Sequence, residues 1–405
     1  MPRATLPKDL LTSAGTVILP CNTLTGWTTT AGTIALDNQT FLAGKSQSVR
    51  IEQTVAGTAA YSRKTGMALD LSDLETLEVV FRIKKRADLS SIRISLENGG
   101  SNYYYVYLPV QFSDMIDNHG WYRIRVSRKE FLINGSPSWL SPFTAIGLRV
   151  SGNAGVMASV QFDQVAYNVK GLPKVLFTYD DAWQSVYDKA FPIHQRYGQR
   201  ATTWAVSRFA QSNDPNYARP ATLDILHNAG WDIGNHTDGH DRYTQQAEVG
   251  GLTGLVESYR VCRDWLRSRG YRGVDHVCYP AGEFGDDLIE GLKSLGVKTA
   301  RSTISDVTAT PVDNLHKLKT FPLGSTTTRA AVLDVLQKVR DTGCSVHFML
   351  HRVEDIPIPP IPDICYPTAE LEWLCDVVKS MGFDVVTISE WYEQLTSPRR
   401  PVNRI

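Results

Sequence analysis

The chain has 405 residues, of which 42% are hydrophobic, and it sets 42 Lys and Arg against 42 Asp and Glu for a formal net charge of zero. Such a length exceeds one small core and fits two domains, or one large barrel with an appended module. Balanced charge without a run of five or six like residues excludes the electrostatic footprint of a nucleic-acid or anionic-membrane binder, and the apolar runs fall short of the ~18 residues that a membrane span needs. A neutral partner such as a glycan suits this surface better, with neither nucleic acid nor membrane insertion expected.

The opening MPRATLPKDLLTSAGTVIL puts basic residues before a short apolar run, but Asp9, Thr12, Ser13 and Gly15 interrupt it, so no cleaved signal peptide is expected. From there to about residue 170 the texture is β. QSVRIEQ, LETLEVVFRIKK, SSIRISLE, NYYYVYLPV, WYRIRVS, AIGLRVSG and ASVQFDQVAYNV alternate apolar and polar residues between turn clusters. Short, evenly spaced strands with little helical periodicity predict an all-β, jelly-roll-like sandwich over residues 1–170. Its last strand, VQFDQVAYNV, loosely resembles the closing strand of jelly-roll carbohydrate-binding modules. Tyr103, Tyr105 and Tyr107 fall on one strand face and Tyr104, Val106 and Leu108 on the other. One of these faces is core, and the other is ordinary packing or a glycan-binding platform.

Gly171-Leu172-Pro173 reads as a short hinge, after which, over residues 171–405, the rhythm becomes strand, loop, helix. Strand-like runs occur at KVLFTY, ATTWAV, WDIGN, HVCYP, VKTAR, CSVHFML and FDVVTI. Helical patterns follow most of them, as in SVYDKAFPIHQRYG, ATLDILHNAG, DLIEGLKSLG, AAVLDVLQKVRDTG and AELEWLCDVVKSMG, most closing on a glycine suited to a helix end. Seven strands alternating with helices predict a parallel sheet closed into a (β/α)7 barrel, so the chain as a whole is α/β with an all-β first domain. The six cysteines are scattered without a C-x-x-C pair and read as isolated buried thiols, although Cys365 and Cys375 are near enough in sequence to pair.

In such a barrel chemistry sits at the C-terminal strand ends. KVLFTY ends in Asp180-Asp181, two adjacent carboxylates whose repulsion and desolvation call for a cation or a proton, unless they cap a helix. WDIGN runs into His236-Thr237-Asp238-Gly239-His240, whose i, i+4 histidines would share one side of a helical turn and one cation, a spacing that also arises by chance. CSVHFML ends in His351, placed for proton transfer near neutrality, whereas His347 inside the strand reads as a satisfied core histidine. HVCYP opens into Pro280-Ala281-Gly282, either an ordinary turn or a source of backbone N–H groups for an oxyanion.

In this order TYDDAW, HTDGH, YPAG and MLH resemble the motifs of the polysaccharide deacetylase (NodB-homology) family, carbohydrate esterase family four, whose usual forms are TFDDG, H-S/T-x-x-H, R-P-P-Y-G and L-x-H or L-H. The resemblance covers roughly residues 172–395. It implies a distorted seven-stranded barrel that removes N- or O-acetyl groups from sugars, with Asp180 as general base and Asp181, His236 and His240 as ligands of a divalent metal. It further implies His351 as general acid and the backbone N–H of Ala281 beside the oxyanion. Zinc suits two imidazoles and a carboxylate, as do Co2+, Ni2+, Mn2+ and Fe2+.

Three departures stand out. Ala182 replaces the family's Gly after the Asp pair, a change tolerated if the backbone angle there is ordinary. Cys278 stands where the third motif has Arg, and Arg301 at the end of VKTAR is the candidate to orient Asp180 instead. No clear match exists for the Asp that steadies the acid histidine, and Asp306 is a candidate for it or a plain loop residue. Trp183, Tyr243, Tyr279 and Phe284, together with Arg301, are candidate substrate-binding residues, the aromatics being equally suited to packing. The Pro-rich EDIPIPPIPDICYP after His351 reads as a stiff wall of the cleft. No G-x-S-x-G occurs, which argues against a serine esterase. A catalytically idle glycan-binding protein is the other alternative, and retention of all five motif carboxylates and histidines argues against it. A β module joined to a glycan esterase also resembles phage tail-spike architecture, so the expected partner is an acetylated extracellular or cell-surface polysaccharide, met by a secreted or virion-associated chain that could form a homo-oligomer.

Overall fold

A computed structural model describes residues 15–42, 45–108, 120–169, 171, 173–310, 312, 314–355 and 364–396. The first fourteen residues read for a signal peptide, Leu172 of the hinge and 356–363 of the Pro-rich segment lie outside the described residues. The chain forms two compact units, Met1–Gly171 with Pro311–Asp313 and Arg340–Gly343, and Leu172–Thr310 with Asn314–Val339 and Cys344–Ile405.

The first unit is built from antiparallel strands in two sheets. One orders Thr33–Asp37, Ser48–Glu52, Ser159–Tyr167, Thr76–Ile83 and Gly120–Ser127, with Thr16–Leu19 also on Ser159–Tyr167. The other runs Leu132–Asn134, Asn102–Tyr107, Leu89–Gly99, Phe143–Gly152, Ala59–Leu69 and Trp27–Ala31. Alternation along each strand sends one set of side chains into a shared core: Val79 and Phe81 from one sheet meet Ile92, Ile94, Tyr104, Val106, Ile146 and Leu148 from the other. The apolar payload of these residues is what holds two sheets face to face. Sequence reading missed the eleven-residue strand Ala59–Leu69, because Tyr61, Arg63 and Lys64 with Gly66 break its apolar alternation.

In the second unit seven parallel strands, Lys174–Tyr179, Thr202–Ala205, Asp232–Asn235, His276–Cys278, Thr299–Ser305, Leu318–Pro322 and Val346–Leu350, form a ring that closes where Thr178 and Tyr179 pair with Thr202 and Thr203. Six of these coincide with the expected runs, and the seventh corrects one. The barrel strand is Leu318–Pro322, between Thr299–Ser305 and Val346–Leu350, whereas FDVVTI contributes only Asp384–Val385, paired beside Lys174 and Val175. LKTFP is short and carries Lys319 and Pro322, so neither its length nor its hydropathy announced it. The longest helix among the described residues, Gly251–Ser268, was also absent from the five patterns read in the sequence. Val175, Phe177 and Tyr179 face the helices in one apolar cluster with Val346, Phe348 and Leu350. All six cysteines are buried and free, Cys365 and Cys375 included.

Inside the ring Trp204 lies against Gly234, where an added Cβ would stand 2.3 Å from the indole ring. His347 is in the core as expected but is not satisfied, since neither ring nitrogen has a hydrogen-bond partner; its ring meets Trp391 edge-on at 5.0 Å. Burial depresses several histidine pKa values, among them His194 and His276 to about 4 and His347 to about 3.

Because the folded pKa values of these histidines lie below the unfolded value near ~6.5, the unfolded chain binds more protons between them. Stability should therefore fall as pH drops from 7 towards 5, by up to about 2 kcal/mol per histidine at pH 5, as read by urea unfolding of the protein across that range. Gly234→Ala should lower stability by about 1–3 kcal/mol, the usual cost of overpacking, in the same assay at pH 7, and an unchanged midpoint would mean that Trp204 can move.

Candidate active site and metal centre

Asp180 leaves the first barrel strand with its N–H donating to the Leu350 carbonyl at 2.8 Å, which ties the first and last strands of the ring together beneath the site. Its carboxylate is buried, and the Nη2 of Arg301 donates to both oxygens at 2.5 Å. Burial works to raise the Asp180 pKa, but the positive charge of Arg301 first, and the neighbouring imidazoles of His351 and His236 after it, hold it below the ordinary carboxylate value. Arg301 is itself almost wholly buried and also contacts the thiol of Cys278, whose Sγ stands 3.8 Å from Asp180 Oδ2. Arg301 is thus a partner of Asp180 and not a surface for substrate.

Asp181 turns the other way. Its Oδ1 lies 3.5 Å from His236 Nε2 and 3.5 Å from His240 Nε2, is buried and accepts no hydrogen bond, while Oδ2 accepts from the indole Nε1 of Trp183 at 3.1 Å. His236 is buried, and its Nδ1 lies 2.8 Å from the Cys278 carbonyl. That carbonyl can only accept, so Nδ1 carries the proton and the lone pair of Nε2 faces Asp181. Burial and the neighbouring His240, against the pull of Asp180 and Asp181, push the His236 pKa down to about 4. The ring is neutral at pH 7. A naked carboxylate oxygen and imidazole lone pairs gathered within 4.8 Å of one another fit a divalent cation. Asp180, His236 and Cys278 make a second triplet of that size, but the Arg301 guanidinium already supplies the positive charge there.

The two histidines do not share a helical turn, which corrects the expectation from their spacing. They sit on a loop after Asp232–Asn235 in which Thr237 (φ 68°) and His240 (φ 61°) are left-handed. Asp181 (φ 67°), Ala182 (φ 53°) and Ala281 (φ 55°) are too, so five of the seven non-glycine residues with positive φ among the described residues lie in these three loops. The backbone at Ala182 is therefore not ordinary, and the family's Gly at that position has a steric reason. Each such residue costs about 1–2 kcal/mol and needs outside support. Ala218 N–H donates to Ala182 O at 2.8 Å; Asn235 Oδ1 accepts from Thr237 N at 2.9 Å, Thr237 Oγ1 from Asp241 N at 2.8 Å, and Ser258 Oγ from Asp238 N at 2.9 Å. Glu283, buried next to the Pro280-Ala281-Gly282 turn, accepts from Thr244 N at 3.0 Å and pairs with Arg242, which ties that turn to the histidine loop.

His351 Nε2 is 3.7 Å from Asp180 Oδ2. Asp306, the candidate to steady it, instead meets Lys319 Nζ at 3.1 Å and Lys338 Nζ at 3.3 Å, so the carboxylate facing His351 is Asp180. The aromatic candidates divide. Trp183 stacks on Tyr217 with 4.6 Å between ring centroids and has the Arg352 guanidinium 5.0 Å from its ring, so it steadies Asp181 more than it offers an open face. Tyr243 is half-buried with its hydroxyl on Asp287 at 2.9 Å. Tyr279 and Phe284 are corrected to packing, since both are buried and stack on each other at 4.9 Å, with the Tyr279 hydroxyl on the His316 carbonyl. Sequence reading missed Phe209 and Tyr217, which continue a row of rings from Trp183 to His240. No local pattern marks them, since they come together only in the fold.

Residues 168–300 match the family model described as polysaccharide deacetylase. A curated relative, the poly-beta-1,6-N-acetyl-D-glucosamine N-deacetylase of Staphylococcus epidermidis, is 27% identical over 162 residues, 36% of this chain. The chain spans about half, 54%, of that relative's length. Among solved structures, the family 4 carbohydrate esterase from Streptomyces lividans in complex with acetate aligns with a TM-score of 0.39 and 17% identity over 54% of this chain and 94% of the other. A family 4 acetyl xylan esterase from Clostridium thermocellum in complex with a cobalt ion aligns with a TM-score of 0.36 and 18% identity over 55% and 92%.

Removing the indole donor while keeping an aromatic ring, as in Trp183→Phe, should weaken divalent-metal binding about 10–100-fold, the usual effect of losing a group that orients a ligand. Zinc titration of the apoprotein measures this, and unchanged affinity would remove Trp183 from the centre.

Proposed function

We propose that the barrel is a metal-dependent hydrolase that removes acetyl groups from an extracellular or cell-surface polysaccharide. One observation carries this reading: the unpartnered Asp181 Oδ1 converges with the imidazoles of His236 and His240, directly beside a separate carboxylate, Asp180, held ionised by Arg301. Asp181, His236 and His240 would hold a divalent ion, zinc first by its donor set and Co2+, Ni2+, Mn2+ or Fe2+ after it. Such an ion, when bound, supplies the Lewis acidity that polarises an acetyl carbonyl and makes water acidic. Asp180 is the general base: its lowered pKa keeps it ionised at pH 7, ready to take the proton of the attacking water. His351, across from it, is the general acid that returns a proton to the departing amine or alkoxide. The Ala281 N–H is assigned to the oxyanion of the tetrahedral intermediate. Tyr243, half-buried at the loop that carries His240, remains the aromatic candidate for a sugar contact. The activity of the Staphylococcus epidermidis relative favours an amide of an N-acetylglucosamine polymer over an O-acetyl ester.

Acetate release from poly-β-1,6-N-acetylglucosamine and from acetyl xylan tests the reading. Chelation should abolish release and a divalent metal should restore it; activity undiminished in metal-free protein would refute it. Asp180→Asn should lower turnover by about 10²–10⁴-fold, the usual worth of a general base, with metal content unchanged. Asp181→Ala should lose the metal itself. If Asp180→Asn stripped the metal while Asp181→Ala kept metal and activity, the two roles would be exchanged.

A further inference from the structure

The open face of the second sandwich sheet carries a row of side chains that the core does not use. Cross-strand pairing sets Tyr61 opposite Arg149, Arg149 opposite Arg93, and Arg93 opposite Tyr107. Tyr103 and Tyr105 stand beside this row, with ring centroids 5.8 Å apart, and Tyr105 meets Tyr107 edge-on at 6.0 Å. Their neighbours Tyr104 and Val106 go to the core, which decides between the two faces of this strand. Tyr107 remains 47% exposed.

The face is also charged in an unbalanced way. Glu97 is buried and committed, accepting from the Tyr61 hydroxyl at 2.6 Å and from Arg63 Nε at 2.9 Å. It neutralises Arg63 and leaves Arg93 and Arg149 without an acidic partner among the described residues. Arginines directly opposite each other on neighbouring strands repel. The guanidinium carbon of Arg93 lies 5.3–5.8 Å from the ring centroids of Tyr61, Tyr103 and Tyr105, and its Nε is buried without a hydrogen-bond partner. Its faces are given to tyrosines while its Nε has no acceptor. Gly147 makes this arrangement possible, because a Cβ there would stand 2.4 Å from both the Tyr61 hydroxyl and Ser95 Oγ.

We infer that this face binds a glycan whose sugars carry carboxylates, pyranose rings lying on Tyr105 and Tyr107 and a uronate carboxylate meeting Arg93 and Arg149. Tyrosine gives a sugar ring an apolar surface with a polar rim. A planar guanidinium fork matches a planar carboxylate bidentately, and an anion between the two arginines relieves the repulsion that the sheet otherwise bears. This goes beyond the deacetylase reading and is independent of it.

Calorimetric titration of the full chain with oligogalacturonate, neutral xylo-oligosaccharide and phosphorylated mannan tests the inference, with acetate release from a small acetylated substrate measured alongside. Oligogalacturonate should bind most tightly, and more weakly as salt is raised. Arg93→Gln with Arg149→Gln should weaken that binding at least about tenfold, leaving the melting temperature within a few degrees and acetate release unchanged. Tyr105→Ala should weaken it comparably and provides a second readout should the double variant fold poorly. Equal or tighter binding of the neutral or phosphorylated glycan, undiminished binding by the variants, or burial of this face in a dimer that Tyr107→Glu dissociates would each overturn it. Acetate release that fails while oligogalacturonate still binds would count against the deacetylase reading alone.

Discussion

The buried pair between Arg301 and Asp180 is the contact on which the candidate site at the C-terminal end of the barrel strands depends. Removing one member of such a pair leaves an uncompensated charge in the interior, typically at a cost of about 3–5 kcal/mol, so truncating either side chain weakens this end of the barrel, whereas Asp180→Asn still leaves an oxygen for Arg301 to donate to. The pair spans the ring from the first strand to the strand Thr299–Ser305. It also separates two adjacent carboxylates into different chemical roles. Asp180 is given a permanent positive neighbour, whereas Asp181 keeps an oxygen without a donor and two imidazole nitrogens in front of it.

The second constraint is backbone strain. Three loops from three strand ends place non-glycine residues in the left-handed region, and each is held by hydrogen bonds from a neighbouring element. This fits a site whose geometry is imposed by its surroundings, since an isolated loop would relax. The buried Glu283 serves the same end by tying the turn at Ala281 to the loop that carries His240. The strain explains why a small residue follows the aspartate pair, and why Ala182, with only a Cβ to accommodate, can stand there.

Much of the barrel was legible in the sequence because its strands are apolar runs followed by loops and helices, and because the four motifs lie directly at strand ends. The strand Leu318–Pro322 was not, since two of its five residues are Lys319 and Pro322 and its pairing with neighbours, more than its hydropathy, makes it a strand. Tyr279 and Phe284 were legible as aromatics beside a motif. Their burial was not, because nothing in YPAGEF says which way a ring points.

By itself the sequence determined the division into a β texture and a β/α rhythm, and it determined the set Asp180, Asp181, His236, His240 and His351. Periodicity and residue chemistry are local properties, so a linear reading recovers them. The sequence also offered Arg301 as the residue to orient Asp180, and the fold brings the two together across 121 positions; tertiary structure alone decided the other partners, Trp183 with a ring row through Tyr217 and Phe209 beside Asp181 and His240, and two lysines for Asp306. It also decided that the tyrosines at 103, 105 and 107 face outward, because alternation offers two equivalent faces and only the packing of the opposite sheet chooses between them.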